Sequence, residues 1–259
     1  VSVGAQSLDG VVLGALGRLH DADAVPKVVD SARRSGFRSV SIDLILGHPD
    51  ESEASWTRSV DRVAALDVDH VSTYALTVEP GTELAAAVRN GAPGPDDDVQ
   101  ADRYGEFAAA AGRAGIRRYE VSNHARPGHH CRYNLSTWAH GEYLGFGMAA
   151  HSHRWGHRTR NHRRLDRYLE AVESGAPPVL GEERLGPAEQ ERDQFMLGLR
   201  LAAGTPMTET ARRFAESEDG GRFLDAGLVR LDGDRMVVVD PLRADMVARA
   251  ALSVPVADC

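Results

Sequence analysis

The sequence predicts an α/β fold, a (β/α) barrel in preference to a doubly wound sheet, followed by a small winged-helix-like unit. Three observations carry that expectation. Alternating apolar segments recur with helical segments between them at intervals of roughly 30–40 residues, the rhythm of parallel strands joined by right-handed crossovers. The strand pattern at 38–46 keeps one polar face with Asp43 at its centre, whereas a flat parallel sheet covered on both sides is apolar on both. The remainder of the chain then changes to three helices and a hairpin. With 259 residues the chain can hold one large domain, or one medium and one small.

Each element follows from its local chemistry. Val1-Ser2-Val3-Gly4-Ala5-Gln6 runs as a strand from the first residue, without an initiator Met, as expected of the rear part of a larger fold. At 21–35 the apolar residues Val25, Val28, Val29 and Ala32 fall at helical spacing. Acids lie in the first turn, Arg33 and Arg34 in the last, and Gly36 beyond. At 38–46 Val40, Ile42, Leu44 and Leu46 point one way, and Ser39, Ser41, Asp43 and Ile45 the other. Gly47, Pro49 and Asp50 end that strand, and Asp50 with Glu53 is expected to cap a helix carrying Trp56, Val60, Val63 and Ala64. A strand at 70–78, a Glu79-Pro80-Gly81 turn and a linker at 91–95 follow. Asp96-Asp97-Asp98 opens an Ala-rich helix that stops near Gly115, and 116–121 reads as a fourth strand. The periodicity dissolves between 123 and 161. A short helix at 163–174 and a linker at 175–181 precede helices at 189–201 and 207–216. A third helix ends near 223–229, and a hairpin at 231–240 turns on Asp232-Gly233-Asp234.

Composition narrows the function classes. A formal net charge of −8 argues against nucleic acid as a partner, although winged helices often bind DNA. Two cysteines, Cys131 and Cys259, are too few for a disulfide framework or a thiolate metal site, and they fit a reducing cytoplasm. No stretch approaches the roughly 18 apolar residues that a membrane span needs.

Eight of the 11 histidines lie between His124 and His162, with Arg154, Arg158, Arg160, Arg163 and Arg164 among them. His151, His153, His157 and His162 have the density of a metal site. The interleaved arginines instead suit carboxylate binding, so no metal site is expected. Gly145-Phe146-Gly147-Met148-Ala149-Ala150 resembles a dinucleotide fingerprint but has no following helix and no acid at the right distance. It reads as backbone that another group approaches closely. Tyr133, Trp138, Tyr143, Phe146 and Trp155 crowd the same region, either as core under a loop or as a platform for a planar ligand.

Taken together, several blocks resemble a known family. Gly4-Ala5-Gln6-Ser7, Leu16-Gly17-Arg18-Leu19-His20 and Ile42-Asp43-Leu44-Ile45-Leu46-Gly47-His48-Pro49 are similar to the radical S-adenosylmethionine proteins related to oxygen-independent coproporphyrinogen III oxidase. Tyr74-Ala75-Leu76-Thr77-Val78-Glu79-Pro80-Gly81-Thr82, Gln100-Ala101-Asp102 and Tyr119-Glu120-Val121-Ser122-Asn123 resemble its HemW haem-chaperone branch. So do Cys131 to Trp138, Tyr143-Leu144-Gly145-Phe146-Gly147 and Ala150-His151-Ser152.

The resemblance covers nearly the whole chain and implies a partial barrel binding S-adenosylmethionine over a 4Fe-4S cluster. It places Gln6, Arg18, Asp43 and Thr77 at S-adenosylmethionine. An acid accepts from ribose hydroxyls or the ammonium, while Arg and Gln suit the carboxylate end. The cluster's C-x3-C-x2-C triad is expected upstream of this chain. Haem is implied against the segment 124–162, through Tyr133, Asn134, Trp138, His151 and Arg154. Arg158 and Arg160 are further candidates for the propionates. The branch's His-Asn-x-x-Tyr-Trp signature stands here as Tyr133-Asn134-Leu135-Ser136-Thr137-Trp138, so Tyr133 replaces the His, and its phenolate is one candidate ligand of ferric haem.

The resulting expectation is a barrel over residues 1–182 and a winged-helix-like domain over 183–259. The function is that of a cytoplasmic haem chaperone passing haem to a client haemoprotein, with peripheral membrane association through such clients. The alternatives are a coproporphyrinogen III oxidase of porphyrin biosynthesis, and a hydrolase using His151 and His153 on a metal.

Overall fold

The computed structural model describes residues 1–253, so Cys259 lies outside the described residues. The chain divides into two compact units, 1–130 and 131–259. The division falls ahead of the expected boundary at 182/183.

The first unit contains β1 (Ser2–Gln6), α1 (Gly10–Ala15), α2 (Ala24–Arg34), β2 (Ser41–Leu46), α3 (Glu53–Ala64) and β3 (His70–Ala75). It continues with α4 (Glu83–Arg89), α5 (Asp97–Arg113), β4 (Arg117–Arg118) and β5 (Asn123–Ala125). Its sheet has the order β1-β2-β3-β5-β4. The strands β1, β2 and β3 are parallel, with Ile42 opposite Val3 and Val71.

The fourth strand departs from expectation. Only Arg117–Arg118 remain of 116–121, and the chain turns back at once so that β5 pairs antiparallel with both β3 and β4. A carboxylate drives this reversal. Glu120 is fully buried in the turn, and its Oε1 accepts from Ser122 N at 3.0 Å and from the Asn123 amide. Helix α3 also starts differently, because Ser52 caps it by accepting from Ser55 N at 3.2 Å. Asp50 sits in the preceding turn and makes no cap.

Alternation along β2 builds the core. Ile42, Leu44 and Leu46 are at most 1% exposed and pack with Val25 and Val29 of α2, Trp56, Val60 and Val63 of α3, and Phe107 and Ala110 of α5. Burying each such branched or aromatic side chain contributes about 1.5–3 kcal/mol. The opposite face of β2, with Ser41, Asp43 and Ile45, is only half-buried. That is the polar inner face of a barrel wall.

The second unit contains α6 (Arg132–Trp138), β6 (His151–Arg154), β7 (His157–Asn161), α7 (Leu165–Glu173), β8 (Val179–Arg184) and α8 (Pro187–Gly198). After these come β9 (Thr205–Pro206), α9 (Glu209–Glu216), α10 (Glu218–Asp225), β10 (Val229–Asp232), β11 (Arg235–Val238) and α11 (Ala244–Ala251). The region expected to lack periodicity thus holds β6 and β7, and β8, which begins within the expected linker, completes an antiparallel sheet β6-β7-β8 with them. Its β6–β7 turn is Trp155-Gly156, with φ of +51° and +71°, the all-positive turn that matches strand twist. The helices α8, α9 and α10 and the sheet β10-β11-β9 form the winged-helix arrangement. Phe195, Phe214 and Met236 are fully buried at its centre. Among the described residues no helix is long and apolar enough to cross a membrane.

Candidate functional site

Two regions carry the candidate residues, one in each unit. In the first, the carboxyl ends of β1, β2 and β3 surround a cavity of about 340 Å³ lined by Gln6, Asp43, Ile45, Tyr74, Ala75, Leu76 and Thr77. Asp43 stands on the polar face of β2 and accepts from Ser2 Oγ at 3.0 and 3.1 Å. Gln6 ends β1 with φ +62°. Its amide folds back over Gly4, where a Cβ would stand 2.7 Å from Gln6 Nε2, so the bare backbone makes room for it. Thr77 follows β3 and donates to Glu79 Oε1 at 3.3 Å.

The structure therefore brings Gln6, Asp43 and Thr77 to one cavity. It does not bring Arg18 there. Arg18 lies on the exposed turn after α1 and is not among the lining residues. Carboxylate, amide and hydroxyl groups in one partly open cavity fit the ribose and amino-acid ends of S-adenosylmethionine. An iron–sulfur cluster does not fit the residues present. Such clusters need several thiolates, and among the described residues no group of three or more His, Cys, Asp or Glu is placed to hold a metal.

In the second unit Tyr133 lies on α6 and is 63% exposed, its ring edge-on to Tyr143 at 6.5 Å. Tyr143 exchanges both backbone hydrogen bonds with His153, each 2.9 Å. His153 is buried, with Nδ1 3.1 Å from Gly141 O, and its ring lies 4.4 Å from that of His140. Burial holds His140 below the usual histidine range, and His153 beside it lowers it further. Tyr133, Tyr143, His153 and His140 thus form a continuous aromatic series that ends in two imidazoles 4.4 Å apart.

The other candidates are more scattered. Trp138 sits beneath the Arg200 guanidinium, 4.6 Å from its carbon, and Asn134 shares α6 with Tyr133. His151 is exposed at the start of β6, opposite Arg160. Arg154 lies 4.2 Å over the Trp155 ring and 3.8 Å from Glu142. Arg158 is paired with Asp193 and with Glu183, so its charge is already met. Gly145 confirms the close-approach reading, since a Cβ there would stand 2.1 Å from His151 O.

Sequence reasoning chose His151 for haem, named His153 only for a metal-dependent alternative, and passed over His140. His153 follows His151 by two residues, the spacing that puts both on one strand face. Nothing local distinguishes the buried member from the exposed one.

No family model matches the chain. A protein of Mycobacterium tuberculosis described as "Heme chaperone HemW" is 40% identical over 97% of this chain and 65% of its own length. A HemW of Bacillus subtilis is 30% identical over 85% of this chain and 58% of its own length. A mitochondrial radical S-adenosyl methionine domain-containing protein 1 of Mus musculus is 33% identical over 90% and 57%. The chain thus spans somewhat under two thirds of these relatives. Among solved structures, the coproporphyrinogen III oxidase HemN of Escherichia coli superposes with a TM-score of 0.78 over 97% of this chain and 63% of its own, at 21% identity, which shows the shared fold.

Proposed function

We propose that this chain, HemW-like in its sequence, works as a haem chaperone. The second unit would hold haem and pass it to a client haemoprotein, and the first would hold S-adenosylmethionine. This reading places the hand-over in the cytoplasm, with membrane contact only through the client.

The observation that carries the haem assignment is the run of exposed apolar side chains within 144–155, which follows Tyr143, itself 6.5 Å from Tyr133. Leu144, Phe146, Met148 and Trp155 are 57%, 86%, 52% and 78% exposed, far more than scattered surface residues require. A porphyrin is a broad apolar plate, and such side chains suit its faces. The Tyr133 phenolate is our candidate for the ferric iron. Asn134, Trp138 and His151 belong to the same assignment as flanking groups, and Arg154 would meet a propionate in place of Glu142. Arg158 is assigned no propionate, because Asp193 and Glu183 occupy it.

In the first unit Asp43 would accept from ribose hydroxyls or the ammonium of S-adenosylmethionine, with Gln6 and Thr77 beside it. Arg18 lies on the exposed turn outside this cavity and would have to swing inward to meet the carboxylate end. Bound S-adenosylmethionine supplies a sulfonium-linked nucleoside. No cluster-dependent step is assigned to this chain.

Titration of hemin into the purified chain tests the haem assignment through the Soret band. A saturable shift is expected, and Tyr133→Phe should weaken it about tenfold while changing the ferric spectrum. Absence of a saturable shift would overturn it. Calorimetry with S-adenosylmethionine tests the other half, and Asp43→Asn should lower affinity by roughly tenfold.

A further inference from the structure

A second cavity of the first unit lies apart from the S-adenosylmethionine candidate and shares no lining residue with it. Of about 520 Å³, it opens between the segment that follows β2 and the start of α5. Its inner wall is built around Glu51, Trp56 and Arg103, which are 4%, 2% and 7% exposed. Arg103 reaches from α5 and donates to Glu51 Oε2 at 3.1 Å, to His48 O at 3.3 Å and to Glu51 O. That leaves one oxygen of the carboxylate over. Glu51 Oε1 is buried with no hydrogen-bond partner, and so is the Trp56 indole nitrogen.

One wall thus offers an unmet acceptor and an unmet donor, each costly to leave unpaired. Around them Glu53, Asp96, Asp102 and Glu106 add four more carboxylates to the lining, while Pro49 and Val99 supply apolar surface. Against the single guanidinium of Arg103, these four carboxylates make the field in the cavity negative, which favours a cation.

We propose that this cavity binds a small organic ammonium that also carries a neutral oxygen acceptor, as an amino-acid amide or amino alcohol does. The ammonium donates to Glu51 Oε1. The oxygen accepts from the Trp56 indole N–H, and the apolar part of the molecule rests on Pro49 and Val99. The surrounding carboxylates repel a ligand bearing a free carboxylate. The inference is independent of the haem assignment, since it uses only residues of the first unit outside the S-adenosylmethionine cavity.

Leucinamide is a suitable probe, titrated into the ¹⁵N-labelled full chain while the Trp56 indole N–H resonance is followed. Loss of that resonance in Trp56→Phe identifies it, and Trp138 and Trp155 serve as internal references. A saturable shift confined to Trp56 is expected. 4-Methylpentanamide, which lacks the ammonium, and leucine, which adds a carboxylate, should each bind at least roughly tenfold more weakly. Glu51→Gln should lose about tenfold for leucinamide. Should that variant fail to fold, Asp102→Asn at the cavity wall should still weaken binding about threefold. Equal binding of 4-methylpentanamide would overturn the proposal, as would no saturable shift up to about 20 mM, the result expected of a cavity that holds only water.

Discussion

His124 and Glu51 are buried in the same unit and titrate in opposite senses. His124 is 1% exposed and packs against Tyr104 and Phe107. Burial, helped by Arg118 and His70, pushes its pKa down to about 4. It is neutral in the folded state, so its contribution is present above the unfolded value and lost as pH falls from 6.5 toward 4, by up to about 3 kcal/mol. Burial instead raises Glu51 to about 7, against the opposing pull of Arg103. The folded state therefore holds that proton more tightly than the unfolded chain. Stability is lost as pH rises from the ordinary carboxylate value toward 7, by a comparable amount of about 3 kcal/mol.

Between these limits the two slopes oppose each other, and single variants should expose them. In urea unfolding at pH 4.5, 6 and 8, His124→Leu should leave a stability that falls as pH rises, and Glu51→Gln one that climbs. Parallel profiles for the wild type and both variants would show that neither group is linked to folding.

At the scale of elements, Gly145 fixes how the glycine-rich segment lies on β6. An added methyl would meet the His151 backbone and not a flexible side chain, so the strand itself would have to move. Gly145→Ala should cost on the order of 2–4 kcal/mol and lower the midpoint of thermal unfolding for the second unit, followed by circular dichroism. Gly14→Ala, where nothing lies within 4 Å, is the control and should leave that midpoint unchanged.

The elements legible in the sequence were those with one apolar face. The strand β2 and the helices α3 and α5 follow the expected periodicity, and the alternation in β2 put Asp43 on the polar side before any coordinates. The sheet β6-β7-β8 was not legible because its strands carry His, Arg, Thr and Glu on both faces. These pair across strands, as in Arg158 opposite Glu183 and Thr159 opposite Glu182, and leave no hydrophobic alternation to detect. The short helix α4 was missed because Ala85, Ala86 and Ala87 give a weak stripe. Of the candidate site, Gln6 and Thr77 emerged only through resemblance. Glu51, His140 and His153 owe their settings to tertiary packing, which no local pattern reports.

For the molecule as a whole, the division at His130/Cys131 is the organising fact. Arg126 anchors the end of the first unit by donating to Val68 O at 3.1 Å and Ala114 O at 3.0 Å. Pro127 and Gly128 beyond it are exposed. Exposed turns between separately packed bodies are where proteases cut first. Brief digestion with proteinase K should therefore cleave within 127–131 and leave two resistant halves, identified by mass spectrometry. First cuts spread through α5 or α8 would contradict the division.

The bond from Ser2 to Asp43 has a further meaning at this scale. The strand β1 is tethered to β2 through the same carboxylate that a nucleoside would claim. Any guest taking both oxygens of Asp43 must release that hydroxyl, so filling the cavity would loosen this tie between the two strands. Occupancy inside and grip at the rim are then two states of one side chain.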